Sequence, residues 1–271
     1  MNREQLVTQI RKQASYLCVG LDTDPSKLPA HLKGTADGVI RFNRAIIEAT
    51  APHCVAYKIN TAFYEAMGAR GWEIMEATLD AIPDTHFSIA DAKRGDIGNT
   101  SHQYAKAFFE TLSFDAITVA PYMGADSVKP FLEYEGKWTI VLGLTSNEGA
   151  KDFELQPAGD SLLYEKVLHT VSGWGNPGNL MFVVGATQAD AFVNIRRIVP
   201  EHFFLVPGVG AQGGSLQEIS AKAANKDIGL LVNASRAVLF ASGGEDFAAA
   251  AAKVAADYQE EMAPFLVHSD K

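Results

Sequence analysis

Short apolar runs rich in β-branched residues recur along the chain, and polar or helix-forming segments separate them. Eight of these runs read as strands: Tyr16 to Leu21, Cys54 to Ile59, Phe87 to Ala90, Ala116 to Ala120, Trp138 to Leu142, Leu180 to Val184, Phe203 to Val206 and Ile228 to Val232. Gly38 to Thr50, Ile97 to Leu112, Ser161 to Val171, Ala189 to Ile198 and Glu245 to Met262 have the spacing or composition of helices. Residues 1–14 read as a further amphipathic helix, with packing across the bottom of the fold as its expected role. Strands that are apolar almost throughout are buried on both faces, which requires a parallel sheet covered by helices. Eight strand–helix units in about 250 residues predict a closed (β/α)8 TIM barrel, in a single domain spanning 1–271 with an N-terminal helix. An open doubly wound sheet is the competing fold.

A barrel of this kind carries its chemistry at the C-terminal ends of its strands. The polar residues expected there are Asp22, Lys58, Asp91, Lys93, Asp96, Thr145, Ser146, the loop from Pro207 to Gly214, and Ser235 with Arg236. Each alone has an ordinary reading, such as a turn aspartate, a surface lysine or an ion-paired arginine. Their common placement sets them apart. The densest group is Asp91-Ala92-Lys93-Arg94-Gly95-Asp96, two carboxylates and an ammonium at the end of an apolar strand. Strand alternation sends Asp91 and Lys93 to the same side and leaves Asp96 in the following turn. Pro207-Gly208-Val209-Gly210-Ala211-Gln212-Gly213-Gly214 precedes a helix expected to begin near Ser215. Glycines that admit close backbone approach, followed by helix N-terminal amides, form a design suited to phosphate. Arg236, after the last strand, adds a guanidinium that can grip a phosphate with two parallel hydrogen bonds.

Composition narrows the partners. With 23 Lys and Arg against 32 Asp and Glu, the net charge is −9. No basic block stands out, so nucleic acid is not the expected partner, and an anionic small molecule needs locally concentrated positive charge. The two cysteines, Cys18 and Cys54, lie within apolar runs and read as buried free thiols. No Cys/His cluster has zinc-ligand spacing, and no metal site is expected. No apolar run approaches the roughly 18 residues of a membrane span, and the first residues do not resemble a signal peptide, so the expected location is cytoplasmic.

With Asp22, Lys58, Asp91-Ala92-Lys93-Arg94-Gly95-Asp96-Ile97, the Pro207 to Gly214 loop and Ser235-Arg236 in barrel order, the chain resembles the orotidine 5′-phosphate decarboxylase family, in its longer bacterial subgroup. The likeness runs from about Tyr16 to Phe240. It implies a carboxy-lyase of de novo pyrimidine biosynthesis that converts orotidine 5′-phosphate to uridine 5′-phosphate and CO2 without a cofactor. Asp91, Lys93 and Asp96 would form the catalytic array, with Lys58 steadying it and Lys93 protonating C6 of the carbanion. Asp22 and Lys58 would hold the ribose, Ser146 the pyrimidine amide, Gln212 both base and phosphate, and Pro207, Ser235 and Arg236 the phosphate end. A homodimer is also implied, with Asp96, Ile97 and Thr100 completing the partner's site. Many relatives have Gly-Arg where this chain has Ser235-Arg236. The segment 147–159 has the length and composition of an active-site lid. Two other readings compete. One is a magnesium-dependent decarboxylase of keto-sugar phosphates with an Asp-x-Lys-x-x-Asp pattern, disfavoured by Arg94-Gly95 and Ile97. The other is a nucleotide-binding protein without activity, disfavoured by the full set of Asp91, Lys93 and Asp96.

Overall fold

A computed structural model describes residues 1–187, 190–209 and 214–266 of the chain. Eight strands, β1 (Leu17–Gly20), β2 (Ala56–Asn60), β3 (Phe87–Arg94), β4 (Ala116–Val119), β5 (Trp138–Leu144), β6 (Leu180–Val184), β7 (Phe203–Pro207) and β8 (Leu230–Ala234), pair in sequence order and close into a barrel. Every neighbouring pair is parallel, and β8 returns to β1 through Leu17 opposite Val232 and Cys18 opposite Asn233. The open doubly wound sheet is thereby excluded.

Helices cover the outside: α1 (Arg3–Gln13), α2 (Gly38–Thr50), α3 (Thr61–Glu65), α4 (Ala69–Leu79), α5 (Gly98–Lys106), α6 (Ala125–Leu132), α7 (Leu163–Ser172), α8 (Ala191–Ile198), α9 (Leu216–Ala223), α10 (Arg236–Leu239) and α11 (Phe247–Leu266). The start of α1 is set by Asn2, whose side chain accepts from the backbone N–H of Gln5 while the Gln5 side chain accepts from the N–H of Asn2. Its first turn lies under the barrel, where Arg3 donates to the carbonyls of Pro177 and Glu201 and pairs with Asp227 at 3.0 Å. At the other end of the chain α11 packs on α2, with Phe247 stacked on Phe42 at 4.9 Å between ring centroids.

Element ends depart from the sequence pattern for local reasons. The last strand starts at Leu230 rather than Ile228, because Ile228 and Gly229 adopt left-handed backbone and Ile228 closes a tight turn with Asn225. The helix expected over 97–112 is regular only over Gly98–Lys106 and then widens into a π-turn at Ala107–Thr111. The strand expected to stop at Ala90 continues to Arg94, because Arg94 resumes pairing with Val119. That extension carries Asp91 and Lys93 inside the sheet. Cys18 and Cys54 are both buried and free. Among the described residues, no helix is long and apolar enough to cross a membrane.

The floor of the barrel rests on Trp138, which is fully buried at the start of β5 and meets Phe87 and Phe203 edge-on at 6.0 and 6.3 Å. Its indole N–H donates to the carbonyl of Met1 at 2.9 Å, tying the N-terminal segment to the sheet. Trp138→Ala is expected to cost about 3–5 kcal/mol by leaving a cavity in this floor, measured as a shift in the urea unfolding midpoint. A loss below about 1 kcal/mol would show that the floor does not depend on the indole.

Candidate active site

The C-terminal ends of the strands surround a cavity of about 650 Å³. Asp22, Lys58, Asp91, Lys93, Ser146, Pro207, Ser235 and Arg236 all line it, although they come from six different strands or the loops that follow them. The centre is Lys58, which sits within β2 with only 4% of its side chain exposed. Its ammonium donates to Asp91 Oδ2 at 3.0 Å and Asp22 Oδ1 at 3.2 Å. Lys93, half exposed, approaches the other oxygen of Asp91 at 2.6 Å. Asp91 therefore bridges two lysines, one buried and one open to the cavity.

Thr118 completes the support for this carboxylate. Its hydroxyl donates to Asp91 Oδ1 at 2.9 Å and accepts from the backbone N–H of Lys93 at 2.9 Å. Burial alone would push the Asp91 carboxyl up, but Lys58 and Lys93 outweigh it and hold the carboxyl well below its usual value. Burial likewise opposes the Lys58 ammonium, and Asp91 and Asp22 outweigh that too, raising its pKa above the ordinary lysine value. Asp91 and Lys58 are thus both charged at neutral pH, and their charges compensate one another within a buried pair.

On the opposite rim, Gly208 has a φ of +96°, a conformation that favours glycine, at the point where the chain leaves β7. Residues 210–213 lie outside the described residues, and with them Gln212. The helix beyond begins at Leu216, with Ser215 as its cap. Ser235 follows β8 and packs directly over Gly20: a Cβ added to Gly20 would fall 1.8 Å from the Ser235 hydroxyl oxygen. Arg236 is exposed beside it.

After β5, Thr145 donates its backbone N–H to Glu154 at 2.6 Å, and its hydroxyl also reaches that carboxylate. The 147–159 segment is thereby tied back to its own root. Its Glu148–Asp152 part is a 3₁₀ turn, and the ring of Phe153, 64% exposed, meets Tyr122 of the loop after β4.

Asp96, Ile97 and Thr100 stand apart from the cavity lining of their own chain. The Asp96 carboxylate accepts from the backbone N–H of Ile97 at 2.7 Å, and Ile97 and Thr100 are exposed. Several residues missed by the sequence reading belong to the site, among them Thr118, Asn233 and Lys27. Asn233, an amide within the apolar strand β8, was a signal available in the sequence, whereas Thr118 in β4 is of a type ordinary in strands. Lys27, which lines the cavity with its ammonium 5.4 Å from the centre of the Phe240 ring, follows Pro25 in an irregular stretch and carried no such signal.

The family described as "Orotidine 5'-phosphate decarboxylase / HUMPS family" matches residues 15–253. This chain belongs to that family. A curated orotidine 5′-phosphate decarboxylase from Phocaeicola vulgatus is 55% identical over 266 residues, covering 97% of this chain and 98% of the relative. Among solved structures, a Leishmania donovani OMP decarboxylase superposes with a TM-score of 0.84 at 36% identity, covering 98% of this chain and 99% of that one. A Leishmania donovani UMP synthase gives a TM-score of 0.85 at 38% identity over 97% of this chain, which spans 56% of that longer polypeptide. Family membership agrees with what the Asp91 to Ile97 motif implied.

The charge array sets the pH response of stability. Asp91, with its pKa lowered on folding, contributes stability that is complete above about 3.8 and is lost as the pH falls through its lower folded value. Lys58, with its pKa raised, contributes stability that is complete below about 10.5 and is lost as the pH rises through its higher folded value. Replacing Asp91 by Asn should therefore lower Tm at neutral pH and flatten the decline of Tm on going from pH 4 to pH 2, as followed by circular dichroism. Parallel acid limbs for the two proteins would refute the assignment.

Proposed function

We propose that this cavity binds orotidine 5′-phosphate and decarboxylates it to uridine 5′-phosphate. The observation that carries the reading is the Lys58–Asp91–Lys93 array, with Lys58 buried and Lys93 open to the same cavity as Arg236 and the Pro207–Gly208 turn. In the reaction the bond from C6 to the carboxyl carbon breaks, CO2 leaves, and the electron pair stays on C6. Ring resonance stabilises that pair poorly, so a cation must already be in place. The Lys93 ammonium supplies the charge and then its proton, forming the C6–H bond, and the amine regains a proton from solvent. Asp91, bonded to that ammonium at 2.6 Å, also places like charge near the departing carboxylate, an effect that vanishes as CO2 forms.

Lys58, fixed between Asp22 and Asp91, orients the array and with Asp22 offers partners to the ribose hydroxyls. Arg236, Pro207, Ser235 and Gln212 take the phosphate end, and Ser146 with Gln212 takes the base. Binding the remote phosphate can favour a closed state of the 147–159 segment, so that part of the phosphate's binding energy acts on the rate. The bonds broken and formed lie within the substrate and Lys93, and solvent restores the amine's proton, so the scheme calls for no cofactor.

Asp96, Ile97 and Thr100 enter through a second copy of the chain. The exposure of Ile97 and Thr100, and the separation of all three from the chain's own cavity lining, support a homodimer in which they reach the neighbouring site.

Protein pretreated with EDTA should convert orotidine 5′-phosphate to uridine 5′-phosphate, and Lys93→Ala should slow this by about 10³-fold or more while the nucleotide still binds. Absorbance at a wavelength that separates the two nucleotides reads the rate. Activity that depends on added magnesium, or turnover of a keto-sugar phosphate instead, would replace the proposal. For the dimer, Lys93→Ala and Asp96→Ala proteins should each be nearly inactive. After subunit exchange a 1:1 mixture should recover about a quarter of wild-type activity, because each mixed dimer contains one intact site. No recovery despite proven exchange would place Asp96 in its own chain's site.

A further inference from the structure

Lys93 has an unusual backbone for a lysine, with φ at +46°. That region is sparsely used by residues with a Cβ, and an outlier persists only where its surroundings hold it. Here the surroundings are identifiable. Ala90 pairs with Ile117 and Arg94 with Val119, so Asp91, Ala92 and Lys93 stand opposite the single residue Thr118. Such a bulge re-aims side chains and needs anchoring where the ladder resumes. Arg94 is that anchor point: its carbonyl accepts from the N–H of Ala120 at 2.8 Å.

The Arg94 side chain closes the other side of the bulge. One guanidinium nitrogen, Nη1, reaches back past Lys93 to the carbonyl of Ala92 at 3.0 Å. The other, Nη2, pairs with the carboxylate of Glu65 at the end of α3. The guanidinium also lies 5.4 Å from the Tyr104 ring centre and 5.5 Å from that of Phe108. Charge pairing and two aromatic faces therefore fix Arg94 from outside the barrel, at the residue next to the cavity lysine.

We propose that Arg94, with Glu65 as its counter-ion, is a positioning residue that keeps Lys93 in its left-handed conformation and so aims the ammonium at Asp91 and at C6 of the substrate. This inference rests on the decarboxylase reading. Arg94 is not among the residues that line the cavity, so its loss should affect the charge presented to C6 and leave the phosphate and ribose contacts intact.

The test uses the full chain with Arg94→Met, which retains an apolar stem between Tyr104 and Phe108, and Glu65→Gln, which removes only the counter-charge. Two ligands are compared by calorimetry. Uridine 5′-phosphate reports the phosphate and ribose contacts, and 6-hydroxyuridine 5′-phosphate adds an anionic oxygen at the carbon Lys93 must face. Both variants should lose about tenfold or more in kcat and in affinity for the 6-hydroxy nucleotide, with uridine 5′-phosphate binding within about twofold of wild type. Equal weakening of both ligands would indicate general damage and overturn the proposal, as would kcat within about twofold of wild type. Should Arg94→Met fail to fold, Glu65→Gln decides alone, since its position is partly exposed. If wild-type protein itself does not convert orotidine 5′-phosphate, the decarboxylase reading fails and this inference with it. If wild type turns over and the variants are unchanged, only the positioning role falls.

Discussion

The ion pair between Lys58 and Asp91 is the constraint around which the mouth of the barrel is arranged. Taking an ammonium and a carboxylate out of water is costly unless each finds good partners, and removing one member of such a pair strands the other. Lys58 can occupy a strand position with almost no exposure only because Asp22 arrives from β1 and Asp91 from β3 on either side. Asp91 in turn has oxygens enough for Lys58, Lys93 and the Thr118 hydroxyl. The consequence is a rigid electrostatic unit spanning β1 to β4, with one lysine left open to the cavity. Preorganisation of this kind is useful because no dipole has to turn when charge moves in the substrate.

Geometry divides the labour between the two halves of the mouth. Strands β1 to β3 and their ends carry the charged cluster of Asp22, Lys58, Asp91 and Lys93, and β4 adds the Thr118 hydroxyl. The ends of β7 and β8 supply a glycine turn and an arginine suited to a distant anion. Between them the segment after β5 is pinned at its base by Glu154 but exposes Phe153 further along. Any motion of this segment is therefore expected beyond the anchored Thr145 rather than at it.

The alternation of apolar strands with helices made the barrel legible, because closing eight parallel strands leaves little freedom in their order. It also made Asp22, Lys58, Asp91 and Lys93 legible, since charge at the end of an apolar strand has few innocent uses. What escaped was local backbone. Simple alternation placed Asp91 and Lys93 on one side, and they do meet, but through a bulge and a left-handed lysine that no periodicity encodes. The start of β8 was misplaced because Ile228, a β-branched residue, takes a turn conformation that its propensity argues against. Thr118 was passed over because threonine is ordinary in strands; its importance follows only from facing Asp91 across the β3–β4 pair.

The contact of Ser235 with Gly20 ties together two strands that lie far apart in sequence. Because the hydroxyl occupies the volume a side chain at position 20 would need, these positions cannot drift independently. With serine at 235, a side chain at position 20 must push that hydroxyl aside, and the Asn233 amide oxygen, 3.1 Å from the same Cβ, crowds the position as well. Any redesign of this side of the cavity must therefore treat β1 and β8 as a single unit of inheritance.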